Sequence, residues 1–206
     1  VLQHVKGKSA LLLGPGLSLE PSVQSLIKTL LQTNAPMVID ADGLTHLAQN
    51  NALKEELKRR SAPTILTPHP GEMGRLCGYS TSEVQRQRLA CARDFAVEYQ
   101  VFVVLKGAGT LVASPEGEVW LNASGHAALA KAGTGDVLAG MIAGFLAQHI
   151  PPEAACRLAV FVHGRLAEHW CQERSASGLL ASSLLEELPH VLHSLEQSWG
   201  LQEELC

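Results

Sequence analysis

The chain has 206 residues, 46% of them hydrophobic, only 4% aromatic, and a formal net charge of -4. That length suits one well-buried domain better than two, and the acidic balance leaves no basic field for a polyphosphate backbone, so nucleic acid is not expected as a partner. The five cysteines are odd in number and form no CxxC pair, which argues against a disulfide framework or a zinc ribbon and for a reducing compartment.

Ala10 to Leu13 is an apolar run ending in Gly14-Pro15-Gly16 and reads as a buried strand entering a turn, with a helix from about Pro21. Pro36 introduces Met37-Val38-Ile39, a second short strand that ends in Asp40-Ala41-Asp42-Gly43 before a helix containing Leu44 and Leu47. Asp40 and Asp42 are expected to cap that helix rather than touch a metal or substrate. The unit repeats. Thr64 to Thr67 runs into Pro68-His69-Pro70-Gly71-Glu72, and Ser82 with Gln85 gives a capping-box spacing ahead of Leu89, Ala92, Phe95, Ala96 and Tyr99 at helical intervals. The prolines around His69 predict an extended, exposed loop, which favours a functional role for the imidazole.

Val101 to Leu105 is the next strand, followed by Lys106. Thr110 to Ala113 and Glu118 to Leu121, joined by Ser114-Pro115-Glu116-Gly117, form an antiparallel hairpin pattern. From Val137 the chain is mostly helical, with breaks at Pro151-Pro152 and Ser175 to Gly178. The apolar helix Val137 to Ala147 is shorter than the roughly 20 residues a membrane span needs, so no membrane is expected as a partner. Gly140 and Gly144 within it are expected to allow close helix packing. His163 and His169 are six apart and share no helix face, which discounts a metal pair. His190 and His193 can share a face near the chain's end and read as solvated.

Three strand-then-helix alternations with strands apolar throughout predict an α/β fold: a mostly parallel central sheet with helices on both faces. Ligands of such sheets collect at the carboxyl ends of the strands, where the glycines, aspartates, His69 and Lys106 fall. The most informative stretch is Ala130 to Gly140, AKAGTGDVLAG. The first turn of a helix offers free N–H groups and a partial positive charge, and Gly133 and Gly135 let a phosphate approach the backbone. Asp136 by itself reads as a carboxylate favouring the helix dipole. With a phosphoryl group in the cradle it becomes a general base for an attacking hydroxyl.

LLLGPGLS, VIDADGL, TPHPGEMGRL, VLKGAGT, AKAGTGDVLAGMIAG and GLLASSLLEELP stand in an order and spacing that resembles the ADP/ATP-dependent NAD(P)H-hydrate dehydratases, a branch of the ribokinase-like superfamily. The resemblance covers nearly the whole chain, and TPHPGE and KAGTGDVLAG are its most specific pieces. It implies one ribokinase-like domain over residues 1–206 that phosphorylates the ring hydroxyl of hydrated NADH or NADPH and eliminates phosphate, with ADP or ATP and Mg²⁺ as cofactors; the sequence does not locate the metal.

The resemblance makes Asp136 the base and Gly133 and Gly135 part of the catalytic turn. It places Lys106, Gly107, Ala108, Gly109 and Thr110 on the nucleotide side, with His126, Lys131, Ala132, Gly133, Thr134 and Gly135. It places Gly16, His69, Pro70, Glu72, Arg75 and Asp136 on the dinucleotide.

The chain departs from the family's pattern at Gly125-His126-Ala127, usually Gly-Asn-Pro, and at Ala181-Ser182-Ser183, often Ala-Ser-Asp. The family's upstream strand-helix units do not precede Gly14 here, so the chain is expected to be a C-terminal fragment of a longer protein, accompanied by an N-terminal epimerase domain or forming a homo-oligomer through an open sheet edge. A cytoplasmic location is expected, organelle targeting remaining open. Two rival readings are a small-molecule kinase of the same superfamily, such as a hydroxyethylthiazole kinase, and a non-catalytic nucleotide-binding or assembly domain.

Overall fold

The apolar runs become the strands of one sheet. In the computed structural model, which describes residues 2–198, they are β1 (Leu11–Leu13), β2 (Met37–Ile39), β3 (Thr64–Leu66), β4 (Phe102–Leu105), β5 (Leu111–Ala113) and β6 (Val119–Leu121). The sheet order is β1-β2-β3-β4-β5-β6. β1 to β4 are parallel, and the β4–β5 and β5–β6 pairs are antiparallel. The hairpin turn is closed by the Gly117 N–H donating to the Ser114 carbonyl at 3.0 Å.

α1 (Leu2–Val5) precedes β1, and the connections between parallel strands carry α2 (Val23–Leu31), α3 (Ala41–Gln49), α4 (Asn51–Lys58), α5 (Pro70–Cys77), α6 (Thr81–Arg86) and α7 (Arg88–Tyr99). α8 (Thr134–Ala147), α9 (Pro152–Glu173) and α10 (Ala181–Ser198) follow the hairpin.

Successive residues of a strand point to opposite faces, and the two cores divide accordingly. Leu13, Met37, Ile39, Leu66, Val103 and Leu105 join the core under α2 to α7. Val38, Ile65, Val104 and Val112 join the core under α8, α9 and α10. Parallel crossovers of one hand that progress in one direction put their helices on one face, which leaves the other face to the C-terminal helices. The expected sheet with helices on both faces is therefore present.

Three local expectations are corrected. The capping box is Ser80 with Glu83, two residues before the predicted Ser82 and Gln85, because Ser80 Oγ accepts from the Glu83 N–H while Glu83 reaches back to the Ser80 N–H at 2.7 Å. The box opens α6 alone; the Leu89 to Tyr99 periodicity belongs to α7. Gly140 and Gly144 are exposed, and a Cβ at either meets nothing within 4 Å, so they do not mediate close packing. The helix predicted from Val137 begins at Thr134, which puts Asp136 in its first turn. Cys206 lies outside the described residues; Cys77, Cys91, Cys156 and Cys171 are free thiols.

Candidate active site

β2 delivers Asp40 to the N-terminal end of α3, the position of a helix cap, yet its side chain makes no cap hydrogen bond. It turns instead to Lys106, immediately beyond β4, whose Nζ donates to Asp40 Oδ1 at 2.8 Å. Asp40 is 2% exposed, so the pair is held largely out of water, where an ammonium and a carboxylate depend on each other. The backbone there is tightly shaped. Ala41 has φ +48, and a Cβ on Gly14 would lie 1.8 Å from the Asp40 carbonyl oxygen, so only glycine fits at the end of β1.

The loop after β3 does not stay extended as predicted. His69 is the N-cap of α5 with Pro70 at its start; the ring remains exposed, and Nδ1 accepts from the Gly71 and Glu72 N–H groups at 3.0 and 3.3 Å. Glu72 completes a capping box by accepting the His69 N–H at 2.7 Å. A proline is favoured in a helix's first turn because its missing N–H is not needed there. The buried Glu72 also faces Lys106, at 3.7 Å from its ammonium. Arg75 lies one helical turn further along α5 and is exposed.

Gly133 caps α8 in the left-handed region at φ +84. A Cβ on Gly135 would lie 3.3 Å from Lys106 Nζ and 3.9 Å from Asp40 Oδ2, so the first turn of α8 faces the same cluster. Asp136, next to it, is exposed. Thr134 Oγ1 points back to the Leu129 and Lys131 carbonyls at 2.7 and 2.9 Å. Behind that turn, His163 of α9 donates its Nε2–H to the Thr134 carbonyl at 2.9 Å. Burial pushes the His163 imidazole down to about 4, with the Lys106 charge acting in the same direction.

The other residues placed on the nucleotide side hold loops in shape. Gly107 and Gly109 have φ of +143 and +64, and the Arg88 guanidinium donates to the Leu105, Lys106 and Gly109 carbonyls, gripping the turn that contains Ala108. Thr110 Oγ1 donates to the Gly107 carbonyl at 3.0 Å. His126 caps the short helix Ala127–Leu129 by accepting the Ala128 N–H, so it supplies the capping acceptor at a position where the family usually has asparagine. Lys131 donates to the Ala176, Ser177 and Leu179 carbonyls at 2.6 to 3.0 Å, which uses all three ammonium donors within the protein. Ser183 Oγ, where relatives often carry aspartate, accepts the Leu180 N–H at 3.4 Å.

Asp40, Arg88 and His163 are the residues sequence reasoning did not place in the site. Asp40 carried a signal, an aspartate at a strand end, but its partner is 66 residues away. A separate cavity of about 350 Å³, lined among others by Lys54, Cys77, Cys91 and Tyr99, lies at the far end of α5 and holds none of the predicted residues. Burial pushes the Cys77 thiol up to about 12, which leaves it unreactive.

Residues 1–190 match the family model described as NAD(P)H-hydrate dehydratase. The chain belongs to that family. It is 39% identical over 198 residues to the bifunctional NAD(P)H-hydrate repair enzyme Nnr of Moorella thermoacetica, a match covering 96% of this chain and 37% of the relative. It is 42% identical to the crystal structure of the ADP/ATP-dependent NAD(P)H-hydrate dehydratase from Bacillus subtilis co-crystallised with ATP/Mg²⁺, with a TM-score of 0.81 over 91% of this chain and 65% of that one. A ribokinase-like superfamily protein from Enterococcus faecalis V583 matches at 29% identity and a TM-score of 0.76, over 90% of this chain and 63% of that one. The fold is thus ribokinase-like, and the dehydratase-family chain spans between about two fifths and two thirds of these proteins' lengths.

Proposed function

We propose that this dehydratase-family chain carries out nucleotide-dependent dehydration of hydrated NADH or NADPH. One observation carries the reading. Three segments far apart in sequence, the His69-Pro70-Gly71-Glu72 cap, Lys106 and the Gly133–Asp136 turn, converge on a single ammonium and its carboxylates, and the Gly14 turn abuts the backbone of Asp40, which carries one of them. The free N–H groups of α8's first turn and the Lys106 charge form a cationic seat for the transferring phosphoryl group. Asp136 takes the proton of the substrate's ring hydroxyl as its oxygen bonds to the terminal phosphorus of ATP or ADP, the bond from that phosphorus to its bridging oxygen breaks, and ADP or AMP leaves. The phosphate so attached then departs with the C–O electron pair while the neighbouring ring carbon gives up a proton to water, which restores the ring double bond.

His69, Glu72 and Arg75 follow one another at three-residue intervals along α5 and, with Gly16, form the dinucleotide side. Gly107 to Thr110 form the nucleotide side, with Lys131 and His126 keeping the neighbouring loops in place. Among the described residues no group of three histidine, cysteine or acidic side chains forms a ready metal cage. Mg²⁺ needs only one or two carboxylates beside phosphate oxygens and water, and Asp40 and Glu72 fit that requirement as the residues that would hold it. When bound it supplies charge neutralisation for the phosphates.

The expected partner is the hydrated dinucleotide. The relatives named as bifunctional support an accompanying epimerase domain for this chain as well. β1 is an edge of the sheet with Leu12 40% exposed, which supports association through that edge. A cytoplasmic location is part of the proposal. No helix among the described residues is long and apolar enough to cross a membrane.

The test follows inorganic phosphate and reduced-nicotinamide absorbance together, with hydrated NADH and ATP or ADP. About one phosphate released per nicotinamide recovered is expected. A stable phosphorylated product without recovery would identify a kinase instead, and nucleotide binding without either product would identify a non-catalytic domain.

A further inference from the structure

We infer that Asp42 and His46 of α3 are positioning residues that hold the Gly14–Ser18 turn in the shape that receives the dinucleotide. The inference rests on the reading above, in which Gly16 lies on the dinucleotide side. Ser18 is exposed and has φ +75, a conformation disfavoured for a residue with a Cβ. Both of its backbone polar groups are taken by α3. Its N–H donates to Asp42 Oδ2 at 2.9 Å, and its carbonyl accepts from His46 Nε2–H at 2.9 Å.

This arrangement exceeds what closing a surface turn requires. Asp42 sits in the first turn of its helix, where a carboxylate ordinarily favours the free N–H groups, yet it reaches 24 residues back along the chain. His46 is fully buried, and its Nδ1 has no hydrogen-bond partner, so the Ser18 carbonyl is the one polar contact of a buried ring. The two residues stand at i and i+4, one above the other on one helix face.

The other end of the turn rests on the start of the same helix, because Gly14 abuts the carbonyl of Asp40, which precedes α3, and a Cβ on it would lie 3.0 Å from the Gly43 nitrogen within α3. Between these anchors Gly16, at φ +66, has open space where its Cβ would be. α3 and its cap residue thus hold both ends of a turn whose middle is presented to solvent. A turn fixed in advance binds without losing further backbone freedom, so the grip acts on affinity for the dinucleotide and leaves the phosphoryl seat at α8 unchanged.

The test measures kcat and the KM values for hydrated NADH and ATP in the intact chain and in Asp42→Ala, Asp42→Asn, His46→Leu and His46→Gln. Asp42→Ala and His46→Leu are expected to raise the KM for hydrated NADH by about 10-fold while kcat and the KM for ATP stay within about 2-fold. Asp42→Asn, which keeps an acceptor oxygen, and His46→Gln, which keeps a donor, are expected to recover most of that loss. An unchanged KM for hydrated NADH, or a KM for ATP that rises in step with it, would overturn the inference.

If His46→Leu does not fold, the Asp42 pair decides the matter. If the unaltered chain does not turn over hydrated NADH, the dehydratase reading fails, and hydrogen exchange at the Ser18 amide decides the grip. Exchange faster by about 10-fold or more in Asp42→Ala supports it, and an unchanged rate overturns it.

Discussion

Asp40 and Asp136 both stand at the N-terminal end of a helix, a position where an aspartate ordinarily complements the helix dipole. Their surroundings separate them: Asp40 is buried against Lys106, whereas Asp136 is exposed beside the glycine turn. A buried carboxylate held by an ammonium suits an anchoring role, and an exposed one at the proposed phosphoryl seat suits the proposed proton transfer. His69 needs the same separation, because its imidazole both caps α5 and lies on the proposed dinucleotide side. His69→Ala is expected to cost about 1 kcal/mol of stability through the lost cap and to weaken the dinucleotide more than the adenine nucleotide. His69→Asn keeps a capping acceptor, so it is expected to restore stability without restoring dinucleotide binding. Equal loss of both ligands in a calorimetric titration of either variant would contradict this placement.

At the scale of elements, α8 is set against α9 by the His163 contact to Thr134, and that contact has a pH signature. The folded value near 4 lies below the ordinary 6.5, so the unfolded chain takes up the proton first and stability falls as pH drops through that interval. The loss between about pH 7 and about pH 5 is about 2 kcal/mol, and it is expected to vanish in His163→Gln, as measured by denaturant unfolding at the two pH values. The same slope in the variant would remove His163 from the account. α2 is terminated by a comparable device. The Arg60 guanidinium donates to the Leu30, Leu31, Thr33 and Ala35 carbonyls, so Arg60→Met is expected to lower stability by about 2 kcal/mol and the melting temperature by roughly 4–8 °C.

These elements also mark what sequence reading reaches. Strands such as Met37–Ile39 were legible because an apolar run of three residues between turn formers is too short for a helix and too apolar for a surface loop. The Ser82–Gln85 cap was misplaced because Ser80, Ser82, Glu83 and Gln85 offer two overlapping boxes, and only tertiary packing selects one. Gly140 and Gly144 misled because small residues at helical spacing look alike whether a neighbouring helix covers them or solvent does. Lys106 and the Gly133–Asp136 turn were legible as local motifs. The Asp40–Lys106 pair, the Arg88 grip and the His163 contact join segments 66, 17 to 21 and 29 residues apart, and no local pattern encodes them.

The whole molecule is a sheet with one face covered by the crossover helices and the other by the C-terminal three, and the site lies where β1, β2, β3 and β4 end. That is the edge at which parallel α/β sheets collect ligands. Among the described residues stability comes from these two apolar cores and not from cross-links, since Cys77, Cys91, Cys156 and Cys171 are free and burial raises the thiols of the first three. The melting temperature is therefore expected to be the same with and without a reducing agent, and a fall on reduction in a calorimetric scan would contradict that.

The most direct test of the account is the recovery of reduced-nicotinamide absorbance from hydrated NADH, with ADP and with ATP, for this chain beside its Asp136→Asn variant. Nucleotide-dependent recovery that falls about 100-fold or more in the variant, with nucleotide affinity nearly unchanged, is the expected result. Equal recovery by both proteins would remove Asp136 from the mechanism, and no recovery by a chain that binds nucleotide would contradict the dehydratase reading.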